Sequence, residues 1–187
     1  MASVPNSGAA PPPPPVWEAQ PPETAARYAG FWLRVVAAIV DGIALWIVWW
    51  IVQAILPSQP LPPLPANPDV EALVQYLESL ATPREVIVYA LLVWAYFAFQ
   101  ESSSVQATLG KRMLGIRVST ESGARLSLGA ATIRTWPIYL PTVASLGGTW
   151  LSTLVVLIAL IACVAVAFAA RKQGLHDKMA GAVLTRR

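Results

Sequence analysis

The sequence predicts an all-α membrane protein: a four-helix transmembrane bundle with a Pro-kinked third helix and a small cytoplasmic β-hairpin. Three observations predict it. Hydrophobic residues make up 56% of the chain and charged residues 12%; a soluble domain is about a quarter charged. Apolar runs at residues 31–55, 84–103 and 150–170 each suit a hydrocarbon core of about 30 Å. Basic residues collect in two stretches that favour the same side of the membrane.

The net charge of +3 is too small to argue for a nucleic-acid partner. One cysteine, Cys163, excludes a disulfide framework or a cysteine-based metal site within one chain. The first 30 residues lack a continuous apolar core and a small-residue cleavage site. The first span is therefore expected to act as an uncleaved targeting signal.

Residues 1–26 are rich in Pro and Ala, with five prolines at Pro11–Pro15. Proline lacks an amide donor and favours extended polyproline geometry, so this tail packs no core. It reads as a disordered cytoplasmic spacer, or as a ligand for a proline-reading protein partner. Residues 27–187 form the transmembrane domain.

The first span, 31–55, has Tyr28 and Trp32 at one end and Trp46, Trp49 and Trp50 towards the other, as in interfacial aromatic belts. Pro57 stops it. Asn67, Pro68 and Asp69 then start a short helix by cap, first-turn proline and acid. Val70, Leu73, Val74, Leu77 and Leu80 give it one apolar face, so it lies on the membrane surface or caps the bundle. Thr82 and Glu85 are spaced as a capping box that opens the second span, 84–103. In the last span, 150–170, Ala159, Cys163 and Ala167 form a small-residue packing face.

Residues 127–147 are harder, because Arg134, Pro137 and Pro141 interrupt the apolar pattern. Charge placement decides. Lys111, Arg112, Arg117 and Arg125 precede this segment; Arg171, Lys172, Lys178, Arg186 and Arg187 follow the last span. Both stretches favour the cytoplasm, so the chain crosses an even number of times between them. Residues 127–147 supply the second crossing, with Gly147 and Gly148 as the turn. The acidic loop holding Asp69, Glu71, Glu78 and Glu85 fits the outside. The localisation expected is a plasma or inner membrane, multi-pass, with both termini cytoplasmic. A re-entrant third segment is the alternative, and it would strand the basic C-terminus outside. In the inner loop, Ile116, Val118 and the Glu121-Ser122-Gly123 turn suggest the hairpin, to which Ala182–Arg187 adds a strand.

Two charges stand inside the first span. Arg34 and Asp41 are seven residues apart, so they share one helix face about 10 Å apart along the axis. Gly30, Ala37, Ala38 and Ala44 lie near that face, while Val36, Ile39, Val40, Ile43, Ile47 and Trp50 lie opposite. The polar face is the small-residue face, which points into a bundle. Arg34 can snorkel to the cytoplasmic interface. Asp41 is deeper, where a carboxylate costs about 2.5–3.5 kcal/mol, so it needs a partner, a proton or water.

Arg34 and Asp41, the stretch QATLGKRMLGIRV (Gln106–Val118) and the stretch QGLHDKMAGAVL (Gln173–Leu184) together resemble the RDD family. The likeness runs from about Ala29 to Arg187 and departs at Ala182, where the family usually has Thr. It implies that the family's arginine is Arg34 and its two aspartates are Asp41 and Asp177. It also implies a bacterial-type membrane protein of unestablished activity, with transport of an unknown ligand, or sodium–proton exchange, as the expectation. On this topology Arg34 and Asp177 meet at the cytoplasmic rim as a charge-assisted pair, and Asp41 faces Arg134. The charges are then structural. In the alternative, Asp41 exchanges a proton or binds a cation on a path through the bundle.

The remaining candidates carry less. His176 is either a proton relay or a rim residue that hydrogen-bonds Asp177. Lys111 and Arg112 suit an anionic-lipid contact, although positive-inside placement alone explains them. Glu101 lies at the inner interface near the basic loop. Gln53 and Gln100 either hydrogen-bond across helices or, on the favoured reading, simply sit at span ends. The Lys111 stretch lacks the glycine and hydroxyl of a phosphate loop. No histidine–carboxylate cluster suits a metal, and no Gly-x-Ser-x-Gly or His-Glu-x-x-His motif occurs. Ser145 lies at the membrane face opposite His176. The expectation is a non-enzyme without cofactor or metal, embedded in the lipid bilayer. It acts in transport, and then as a homo-oligomer because four short helices enclose little space, or it serves as a scaffold or accessory subunit.

Overall fold

The computed structural model describes residues 28–56, 59–67 and 69–186. The Pro-rich tail, Pro57, Pro68 and Arg187 lie outside the described residues. Four long helices carry the fold: α1 (Phe31–Ile55), α3 (Pro83–Ser102), α5 (Leu128–Ala144) and α6 (Thr149–Phe168). Between them stand α2 (Val70–Ser79), the single turns α4 (Leu109–Met113) and α7 (Leu175–Met179), and strands β1 (Ile116–Thr120) and β2 (Ala182–Arg186).

The helix starts follow local chemistry. Thr82 and Glu85 form the capping box: Thr82 N–H donates to Glu85 at 2.8 Å, and Glu85 N–H donates to the Thr82 hydroxyl at 3.3 Å. Ser127 caps α5 by accepting from Ala130 N–H at 3.1 Å. For α2 the cap is Asp69, which accepts from Ala72 N–H at 2.7 Å, two residues later than the expected Asn67 cap. A carboxylate satisfies an orphan N–H and also meets the positive helix end, so Asp69 outcompetes Asn67.

The long helices alternate in direction. At one end Gln53, near the close of α1, donates to Glu85, near the start of α3, at 3.3 Å. Gln53 therefore bonds across helices; it does not simply mark a span end. At that same end a 3₁₀ turn and Gly148, at φ 95°, reverse the chain from α5 into α6. That left-handed φ favours glycine. The other end gathers the start of α1, the close of α3, the start of α5, and the sheet.

Two helices, α1 and α6, are each long and apolar enough to cross a membrane, and α2 with α3 qualifies as a third crossing bent by 66°. The four-span expectation thus meets two to three qualifying spans. Helix α5 has 17 residues with Pro137 and Pro141 inside it. At 1.5 Å per residue it reaches only about 26 Å, a little short of a typical core.

Burial on α1 runs through Ala37, Asp41 and Leu45, four residues apart, while Val36, Ile39, Ile43, Trp46, Ile47 and Trp50 are exposed. On α6 the buried stripe is Ala159, Ala162 and Val166; Cys163 is half-buried and Ala167 exposed. The expected stripe through Cys163 and Ala167 is therefore turned. The buried positions of α6 step by three and then four residues, following the 3.6-residue turn.

No hairpin forms at β1. Thr120 accepts from Gly123 N–H and donates to Ala124 in a tight turn, and the chain then leaves for α5. The partner of β1 is the C-terminal strand: Val118 sits opposite Leu184 in an antiparallel pair. Val118 and Leu184 are fully buried and form one core with Ala29, Ala37, Ala98 and Ala131. The C-terminal strand carries more apolar surface to that core than the polar turn sequence could.

Candidate functional site: a buried charge network beneath a cleft

Five ionised side chains meet at the sheet end of the bundle, each from a different element or helix end. Arg34, in the first turn of α1, donates through Nη1 to Asp177 Oδ2 at 2.5 Å and through Nε to Ala29 O at 3.0 Å. Its Nη2 donates to Lys172 O. Arg134, in the second turn of α5, donates through Nε to Asp177 Oδ1 at 2.9 Å and through Nη1 to Glu101. Lys111, in α4, donates to Glu101 and stands 5.3 Å from the centre of the Phe97 ring. Glu101 and Asp177 are wholly buried. Thus the chain Lys111–Glu101–Arg134–Asp177–Arg34 ties α4, α3, α5, α7 and α1 together. Each carboxylate has two cationic partners, which is what burial of a charge demands.

Asp177 has a further donor, Gly174 N–H at 3.0 Å, because it lies in the first turn of α7. Burial alone would raise its pKa. The guanidiniums of Arg134 and Arg34 outweigh burial and hold the carboxyl far below the usual range. His176 is neutral: burial pushes its imidazole down to about 4, against the opposite pull of Asp177. Its Nε2 lies 3.4 Å from Asp177 Oδ1 without a hydrogen bond, and its Nδ1 is buried with no partner among the described residues. The expected His176–Asp177 hydrogen bond is therefore absent; the two guanidiniums and Gly174 already occupy the carboxylate.

Asp41 does not meet Arg134. It accepts from Tyr96 Oη at 2.7 Å, Thr108 Oγ1 at 2.6 Å and Gly110 N at 2.7 Å. The expected pairing fails because Glu101 and Asp177 stand closer to Arg134, and neutral donors suffice for Asp41. Gly110 packs so tightly that a Cβ there would lie 2.1 Å from Ala37 O. Asp41 thus latches α4 onto α1. Lys111 is 7% exposed and faces Glu101, so it is no surface lipid contact; Arg112 is exposed.

Above the network lies a cleft of about 200 Å³ between α1, α5 and α6. Arg34, Asp41, Lys111, Arg134 and His176 line its inner end, and Phe31, Val35, Ala38, Pro137, Ile138 and Cys163 are among its apolar walls. Among the described residues no group of three His, Cys, Asp or Glu is placed to hold a metal ion.

Sequence reasoning left three contributors without a role. Tyr96 and Thr108 are Asp41 donors. Gln106 adopts φ 55° and holds β1 through Val118 O at 3.1 Å, while its own Oε1 accepts from Arg117 at 2.7 Å. The sequence signal for Gln106 and Thr108 is their clustering with Gly110 in the QATLGKR stretch; Tyr96 has none.

Apolar helices closing on a buried ion network define a helical membrane protein. The RDD family model matches residues 28–181, so this chain belongs to the RDD family. It is also 32% identical over 105 residues to Uncharacterized protein YxaI of Bacillus subtilis (strain 168), covering 54% of this chain and 69% of that one. No solved structure matches.

Proposed function

We propose that the chain crosses the membrane four times with both termini on the cytoplasmic side, and that it moves a small solute through the cleft between α1, α5 and α6. The observation that carries this is the cleft itself: apolar walls between helices, ending on three cations and one carboxylate. Short α5 then crosses by local thinning of the bilayer or with its 3₁₀ extension. Arg34 and Asp41 line the inner wall of the path, Asp177 holds Arg34 from behind that wall, and none of them travels with the cargo. A second copy of the chain would widen the path.

The test uses the single cysteine, which lines the cleft. Vesicles holding the full chain and a pH-sensitive dye are given a sodium or a phosphate gradient. The expected signal disappears when Cys163 is alkylated and persists in alkylated Cys163→Ser. A signal that alkylation of the wild type leaves intact removes the cleft as the path. Topology is checked separately: on Cys163→Ser, an impermeant maleimide should label Ser122→Cys only from inside and Gln75→Cys only from outside.

A second reading, an accessory or scaffold subunit, is favoured by the complete hydrogen bonding of Asp41 and Asp177. Vesicles without flux, together with partners captured by the full chain and lost on removal of residues 1–26, would support it.

A further inference from the structure

The cleft's charge is lopsided. Three cations line it, and Asp41 is the one carboxylate among the lining residues. Both Asp41 oxygens are already engaged by Tyr96, Thr108 and Gly110. Glu101 and Asp177 are fully buried and are absent from the lining. The cations are balanced from behind the wall by Glu101 and Asp177, so what the cleft presents is N–H donors, and it leaves no free carboxylate oxygen for a cation.

Its donors are also incompletely used. Arg134 is 5% exposed and lines the cleft, yet its Nη2 donates to no described residue; Nε and Nη1 take Asp177 and Glu101. Lys111 spends one of three N–H groups on Glu101. A guanidinium edge and an ammonium pointing into one cleft form an oxyanion receptor. Two neighbouring donors in a water-poor site favour a group with several acceptor oxygens.

The walls decide the rest of the ligand. Phe31, Val35, Pro137 and Val166 are apolar, and the exposed residues Ala38 and Ile138 mark a mouth on the side of the bundle. Ala38 lies about 10 Å along α1 from its start, and Ile138 about 15 Å along α5. At that depth a side opening faces acyl chains and not water.

We propose that this cleft binds an anionic amphiphile from the sheet-side leaflet. Its phosphate or carboxylate head takes the remaining donors of Arg134 and Lys111. Its tail leaves between Ala38 and Ile138 into the bilayer. The assignment rests on the cleft reading above and names the ligand class for it; the amphiphile is the cargo, or a bound lipid that completes the wall.

The test is lipid retention by the purified full chain, released from nanodiscs holding equal phosphatidylglycerol and phosphatidylcholine with identical tails, and read by native mass spectrometry. The wild type should retain phosphatidylglycerol about tenfold over phosphatidylcholine: both carry the phosphate, but the choline cation finds no free acceptor beside Arg34, Lys111 and Arg134. Arg134→Gln disturbs the buried network, so the deciding variant is Ala38→Phe, which fills the mouth and leaves every ion pair in place. It should lower retained phosphatidylglycerol about tenfold at unchanged melting temperature. Equal retention of both lipids overturns the assignment, as does an Ala38→Phe variant that retains phosphatidylglycerol fully. Inorganic phosphate alone should not displace the lipid; displacement would make this a free-anion site. Retention is read without any gradient. Lipid bound without flux sinks only the transport reading, and flux without lipid preference sinks only this assignment.

Discussion

Asp177 and Asp41 occupy two neighbouring regions at the sheet end of the bundle, and each buries its carboxylate by a different route. Asp177 is neutralised by charge, between Arg34 and Arg134. Asp41 is held by a phenol, a hydroxyl and a backbone amide, with no ion pair. The charged node joins helices that are far apart in sequence; the neutral node pins a short loop onto one helix. A carboxylate in a bundle thus needs either opposite charge or enough donors, and the two choices differ in what their loss leaves behind. Losing Asp177 strands cations. Losing Asp41 strands neutral donors.

That contrast orders the substitutions. Asp177→Ala should cost most, about 3–5 kcal/mol in mixed-micelle unfolding, because two buried guanidiniums lose a partner. A cost no larger than that of Asp41→Ala would break the contrast. Arg34→Lys should cost about 1.5–3 kcal/mol, since one ammonium cannot reach Asp177, Ala29 O and Lys172 O with the planar fork's geometry. Asp41→Asn should cost about 1–3 kcal/mol, because the new NH₂ meets a donor where an acceptor stood. Hydrogen exchange at the Gly110 amide should quicken in that variant and stay unchanged in Asp177→Ala. Tyr96→Phe, which removes one of three donors, should cost about 1 kcal/mol.

The smallest effect is the one at mild acid. His176 is neutral when folded and titrates near its ordinary 6.5 when unfolded. The unfolded chain then binds more protons as pH falls, so stability falls too, through the window from 6.5 to about 4. Between pH 7 and 6 the loss is roughly 0.7 kcal/mol, and His176→Gln should flatten it. Asp177 adds no slope there. Its folded pKa is depressed, so its stabilisation is complete above the unfolded value of 3.8 and fades only in stronger acid.

The two nodes also differed in how far the sequence revealed them. Arg34 carried its own signal, a charge one turn inside an apolar run, and topology brought the start of α1 to the close of α6 beside Asp177. Helix starts were legible wherever a side chain caps its own backbone, as at Thr82 and Glu85. The partners of Asp41 were not, because Tyr96, Thr108 and Gly110 are neutral and look like ordinary helix and loop residues. Arg134 went to Glu101 and Asp177 because the end of α3 stands between α4 and α5, a matter of packing that charge spacing does not encode. The partner of β1 was settled by which strand could bury Val118, and that depends on a core built from five separate segments.

The central claim is that charges inside this bundle are tolerated because partners on other helices neutralise them. A double-mutant cycle on Arg34→Gln and Asp177→Asn, read by reversible unfolding in mixed micelles, tests it most directly. A coupling of about 2 kcal/mol or more is predicted, with the double variant less damaged than the sum of the two. Costs that simply add, within about 0.5 kcal/mol, would contradict it.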